Sequence, residues 1–188
     1  MLKVAGSHTS DLILVLGVKV GGIMARLNKS PNGSKDSQMS PDEPSTSQAF
    51  FELLAQSFLR AVGRPLVEPG QGAEWLYLDA PFVVVAHNTE PDPRFIYANL
   101  TAQRCFGYSW DEFTKLPSRL SAEAPDRLAR QALLDAVARQ GFIANYRGLR
   151  VRKSGAHFWM EDGLVWELRS EAGIRLGQAA TFSSWTEA

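Results

Sequence analysis

The last third of the chain leaves little freedom of architecture. Residues 141–153, 157–168 and 174–186 are rich in β-branched, aromatic and long apolar residues, and only short turns separate them. Ser154 and Gly155 form one turn and residues 170–173 the other, which predicts two consecutive antiparallel hairpins. Such a meander has an apolar face that cannot stay in water. The rest of the chain must cover it, so the predicted class is α+β.

A two-residue loop at Ser154 and Gly155 sets a register that can be followed along both strands. It puts Val151 opposite Phe158, Leu149 opposite Met160, Arg152 opposite His157 and Arg150 opposite Trp159. Extended further, it predicts an inner face of Ile143, Asn145, Arg147, Leu149 and Val151 beside Phe158, Met160, Asp162, Leu164 and Trp166. Arg147 would then face Asp162, with Asn145 one step along. An ion pair on a concave apolar face needs close partners, and one reading is a polar handle inside a small-molecule pocket. The competing reading is a bulge at Gly148 or Gly163, which reverses the alternation and puts both charges in water. The opposite face would carry Arg150, Arg152, His157, Trp159 and Glu161. Arg over Trp suits an interface, and an ordinary solvated face covered by a helix suits it equally.

Upstream, residues 81–88 (PFVVVAHN) and 95–98 (FIYA) read as two short strands with a Pro-containing acidic turn between them. Asn99 caps a helix ending at Gly107, and Ser109 with Glu112 forms a capping box. Pro125 opens a helix to Gln140 with Leu128, Ala132, Leu133, Ala136 and Val137 as its stripe. Another helix is expected at about 48–63, between Ser47 and Gly63, with Phe51, Leu54, Phe58 and Val62 in line. It docks on its own domain or on a second copy. Residues 64–80 read as a connection whose segment 75–78 packs on the core.

Residues 28–48 are dense in Ser, Pro, Asn and Gly, as in a linker. Residues 1–47 are therefore expected to be a disordered or over-extended N-terminal segment, with Met39 an alternative start, and 48–188 the domain. The apolar run 11–25 is too short for a bilayer span and holds Lys19, and no signal-peptide cleavage pattern follows it. A cytoplasmic protein without membrane attachment is expected. Lys+Arg and Asp+Glu both number 20, so no basic excess points to nucleic acid. One cysteine, Cys105, allows no internal disulfide and reads as a buried, inert thiol.

Catalytic patterns are scarce. No HExxH, GxSxG or P-loop occurs, and Glu161 and Asp162 alternate across a strand. His87 beside Asn88 could act as a base, or be a hydrogen-bonded strand-end histidine. An enzyme is the weaker expectation.

FIYANLTAQRCFGYSWDEF resembles the strand–helix segment of PAS domains. More narrowly, AHNTEPDPRFIYANLTAQ, LPSRLSAEAPDR and YRGLRVRKSGAHFWMEDGLVWEL are similar to the MEKHLA family, a PAS-related domain of small bacterial proteins and of plant homeodomain–leucine-zipper proteins. The resemblance covers about residues 48–186. It implies a five-stranded antiparallel sheet flanked by helices, acting in sensing, ligand binding or protein association. This chain lacks the homeodomain and zipper, so DNA binding is not carried over. Against the flavin-binding light sensors of the PAS group, Ser118 falls where the adduct-forming cysteine belongs. Arg150 and Met160 fall near the flavin-contacting asparagines, and Ser183 or Ser184 near the late glutamine. Those departures argue against flavin, and the absence of His from 125–140 argues against haem. The expected function is a non-enzymatic sensory or interaction module. Asn145, Arg147, Met160, Asp162 and Trp166 are its candidate ligand residues. Phe51, Leu54, Phe58, Arg150 and Trp159 are its candidate contacts to a homodimer partner or signalling protein.

Overall fold

A computed structural model of the chain describes residues 46–188, so the expectations for residues 1–45 lie outside the described residues. Helix α1 (Gln48–Val62) starts where the Ser47 hydroxyl accepts from the Phe50 N–H and ends at Gly63, whose φ of 81° is left-handed. Helix α2 (Ala73–Leu78) stands where the sequence reading had a connection. Its N-cap, Gly72, offers no side chain to the helix, so the cap signal was missing.

Strands β1 (Val83–His87) and β2 (Phe95–Ala98) lead into α3 (Leu100–Phe106) and α4 (Trp110–Phe113). Asn99 holds this corner together. Fully buried, it accepts from the N–H groups of Ala102 and Val84 and donates to the carbonyls of Leu76 and Phe82. One side chain thus caps α3 and ties α2, β1 and α3 into a unit. A 3-10 turn over Ser118–Ser121 precedes α5 (Ala124–Gln140).

Strands β3 (Phe142–Val151), β4 (His157–Arg169), β5 (Arg175–Phe182) and β6 (Ser184–Glu187) complete an antiparallel sheet in the order β2-β1-β5-β4-β3. β5 pairs with β4 from Leu164 to Arg169, and β6 pairs with it from Phe158 to Glu161. Six strands therefore occupy five positions, the central one being shared by β5 and β6 with the break at Ser183. One face packs under α1: Leu54 and Phe58 meet Val84, Ala86, Leu164, Trp166, Leu168 and Ala179. The other face packs under α3, α4 and α5, where Val85, Phe158, Met160 and Phe182 join Phe106 and Phe113 and Val165 joins Leu133 and Val137.

The β3–β4 register differs by one residue from the sequence expectation. Val151 pairs with His157, Leu149 with Trp159 and Gly148 with Met160, and Arg150 lies opposite Phe158. A one-residue slip exchanges the faces. Two bulges then reset the alternation further along, at Asn145 (φ 56°) and Asp162 (φ 48°). Asn and Asp are the side-chain-bearing residues that tolerate this left-handed backbone best. Helix α5 is also rotated from its expected stripe: Leu133 and Val137 are buried, Leu128 is exposed, and Arg130 is turned inward.

Candidate functional site

The sheet face under α3–α5 is apolar except for Arg150 on β3 and one row across the middle strands. His87 on β1, Gln178 on β5 and Glu167 on β4 are cross-strand neighbours, and all three are buried. Above them lies a cavity of about 50 Å³. Val85, Phe95, Phe106, Met160, Val165 and Phe182 give it apolar walls, and His87, Gln178, Ser121, Arg130 and Arg150 are its polar lining.

The hydrogen bonds fix what each polar group presents. The Gln178 amide N–H₂ donates to the Glu167 carboxylate at 2.6 Å and to the Leu134 carbonyl at 2.9 Å. Both are acceptors, so the orientation of the amide is settled, and its buried Oε1 is left without a donor. His87 Nδ1 stands 2.8 Å from the Asn88 carbonyl and must donate there. Burial, foremost, holds His87 down at about 4 against its ordinary 6.5, with the charges of Arg130 and Arg175 acting the same way. The ring is therefore neutral at pH 7, and its buried Nε2 is a bare acceptor without a partner. Glu167 is neutralised from its other side: Arg175 Nε lies 3.0 Å and Arg169 3.5 Å from its Oε2.

Arg150 donates to the Leu149 carbonyl at 2.7 Å and to the Tyr146 hydroxyl at 3.4 Å. Arg130 is pulled down to about 10, by burial and then by the Arg150 charge. Both guanidinium groups are thus out of water and within each other's field.

Of the candidate ligand residues, Met160 lines the cavity. Trp166 is fully buried on the other face, its indole N–H donating to Ser57 at 3.1 Å. Asn145, Arg147 and Asp162 are solvent-exposed, because the register and the two bulges turn them out. The Arg147–Asp162 pair is therefore corrected. Arg147 pairs instead with Glu161 at 2.9 Å and lies 3.8 Å from the Trp159 ring centroid. Among the candidate interface residues, Leu54 and Phe58 are buried within the domain and Phe51 is half-buried. Trp159, half-buried, lies under Arg147. Arg150, expected on the outer face, is the clearest reversal: it is 7% exposed and points into the cavity.

His87 and Asn88 do not form a pair. The Asn88 side chain accepts from the Glu90 and Arg94 N–H groups within its own turn. Cys105 is buried beside Phe106, its thiol pushed up to about 12 by burial. Among the described residues no group of three or more His, Cys, Asp or Glu side chains could hold a metal ion, and no helix is long and apolar enough to cross a membrane.

Sequence reasoning missed Arg130, Gln178 and Glu167. Arg130 stands three and seven residues before Leu133 and Val137, an inward position that its charge disguised. Gln178 alternates with Ala180 and Phe182, which would have put it on the helix-facing side.

The model of the family described as "MEKHLA domain" matches residues 48–187. No curated protein matches the chain. Among solved structures, the PAS domain of a protein from Colwellia psychrerythraea is similar at 16% identity and a TM-score of 0.51, over 58% of this chain and 89% of that one. An RNA-binding light-oxygen-voltage receptor is similar at 23% identity and a TM-score of 0.51, over 64% of this chain. The match spans about a third of that receptor, 36% of its length. These likenesses show the PAS fold. The cavity, about 50 Å³, is well below the roughly 300–1,000 Å³ of sites for larger ligands such as a flavin.

Proposed function

The chain belongs to the MEKHLA domain family, and we propose that its PAS-like domain is a non-catalytic sensory module whose signal is a small molecule held between the sheet and α3–α5. One observation carries this reading. A cavity walled by apolar side chains is lined by buried polar atoms, His87 Nε2 and Gln178 Oε1, that lack partners within the protein. Orphaned buried acceptors cost roughly 1–3 kcal/mol each, and a ligand that donates to them removes that cost. A histidine that stays neutral to about pH 4 is a poor proton acceptor for catalysis near neutrality, which favours binding over chemistry.

The fold also supplies a route outward. β5 alternates Gln178, facing the cavity, with Ala179, packed in the cluster under α1. A shift of β5 on ligand binding reaches α1 through the sheet, and α1 is the element through which a partner would sense it.

Native mass spectrometry of the protein purified from cells, with an absorbance spectrum, tests the reading. A small non-covalent mass at one copy per chain, released by collisional activation and lost from a His87→Phe variant that fills the cavity, is the expected result. A mass retained by that variant would place the ligand elsewhere. An empty protein that extracts of metabolites fail to stabilise against heat would remove the sensor reading and leave protein association.

A further inference from the structure

The charge around the cavity does not close. Arg130 and Arg150 are 8% and 7% exposed, and each lies in the other's field. Among the described side chains no carboxylate comes within ion-pair distance of Arg150. The buried carboxylate nearby, Glu167, is engaged by Arg175, Arg169 and the Gln178 amide. An unpaired buried cation is costly, and a second buried guanidinium lining the same cavity adds to that cost. An anion entering from outside would remove that cost. A guanidinium is a planar fork that matches a carboxylate better than a spherical ion.

The opposite requirement holds beside it. His87 Nε2 and Gln178 Oε1 are acceptors that need a donor. The site therefore offers cationic donors from α5 and β3 and bare acceptors from β1 and β5. A cavity of about 50 Å³ holds roughly three or four water-sized groups, the room of a molecule with about five non-hydrogen atoms. Resting on the ligand-sensing reading above, we propose that this cavity binds a small hydroxycarboxylate. Its carboxylate lies on Arg130 and Arg150, and its hydroxyl donates to His87 Nε2 or Gln178 Oε1.

Glycolate is the smallest probe with both groups. Calorimetric titration of the full chain with glycolate, acetate, glycolamide and inorganic phosphate, at matched ionic strength, separates the alternatives. Glycolate is expected to bind at one per chain. Acetate, lacking the hydroxyl, should bind about tenfold more weakly, and glycolamide, lacking the charge, about 30-fold more weakly or not at all. Arg150→Gln and Arg130→Gln should each weaken glycolate by about 30-fold or more. Without ligand they should melt no lower than the parent, because each removes a buried charge from one shared cavity. Arginines that served only the fold would lower the melting temperature and leave the affinity unchanged. That result would overturn the proposal, as would glycolamide matching glycolate, phosphate outbinding every carboxylate, or no binding by any of the four. Should either variant fail to fold, the ligand series on the parent decides. The native mass spectrum of the cell-purified protein separates the two failures: a bound neutral mass keeps the sensor reading and discards the anion, and an empty, unresponsive protein discards both.

Discussion

His87 carries two properties that usually exclude each other: it is ionisable near neutrality in water, and it is held neutral in the fold. Burial disfavours its charged form first, and the positive charges of Arg130 on α5 and Arg175 on β5 reinforce that, against the Asn88 carbonyl that favours it. Arg150 adds a further cation to the same cavity, while Glu167, two strands away, is neutralised by its own arginines. The native pKa of about 4 lies below the ordinary 6.5, so between these values the unfolded chain binds more protons than the folded one. Stability is then fully present above pH 6.5 and lost as pH falls towards 4, by up to about 3 kcal/mol at 1.4 kcal/mol per unit. Urea midpoints of the parent and a His87→Gln variant between pH 4 and pH 7.5 check this. The variant should show a flatter pH profile with an unchanged urea slope. Equal slopes against pH in the two proteins would mean that His87 is solvated in the native state.

The strands and helices were legible where local rules decide them. Ser47 and Gly63 bracket α1, Asn99 and Gly107 bracket α3, and Ser109 with Glu112 forms the expected capping box. The candidate site was not, because it depends on parity. A register read from the Ser154–Gly155 turn was off by one, and that error placed Arg150 outside and Arg147 inside. The bulges at Asn145 and Asp162 leave only a faint trace in sequence, since Asn and Asp are equally at home in turns. On β4 the bulge exchanges the two faces: before it Phe158 and Met160 face the helices, and after it Val165 and Glu167 do. The even-numbered residues therefore give way to the odd-numbered ones at Asp162. A left-handed position strains most side chains by about 1–2 kcal/mol. Asp162→Gly should therefore stay within about 1 kcal/mol of the parent, whereas Asp162→Val should lose about 1–2 kcal/mol. Equilibrium unfolding of the pair measures the difference directly. A valine as stable as the glycine would show that the strand crosses this point without a bulge, and the cavity lining would have to be redrawn.

At the scale of the whole domain, the question is whether α1 belongs to the fold or to a partner. The sequence allowed both: its stripe could dock on its own sheet or on a second copy, and in the second case removing it would release a clean monomer. The packing favours the first. Phe58 meets Trp166 edge-on at 5.0 Å, Ser57 accepts the Trp166 indole N–H, and Arg60 donates to the Arg169 carbonyl. Under the helix lie Val84, Ala86, Leu164, Trp166, Leu168 and Ala179, all buried. Each large side chain among them is worth about 1.5–3 kcal/mol when covered. Uncovering them together takes away much of the roughly 5–15 kcal/mol a domain of this kind has to spare. A chain starting at Gly63 should therefore lose its near-ultraviolet tryptophan signal, bind a hydrophobic dye and associate more than the full chain. If that truncated chain instead stays monomeric with its tryptophan signal intact, α1 is a detachable arm. Its contact with Trp166 would then be exchangeable for the same contact on another molecule. The proposed signal route from Gln178 through β5 is compatible with either outcome, but its last step would change from a shift of a docked helix to its release.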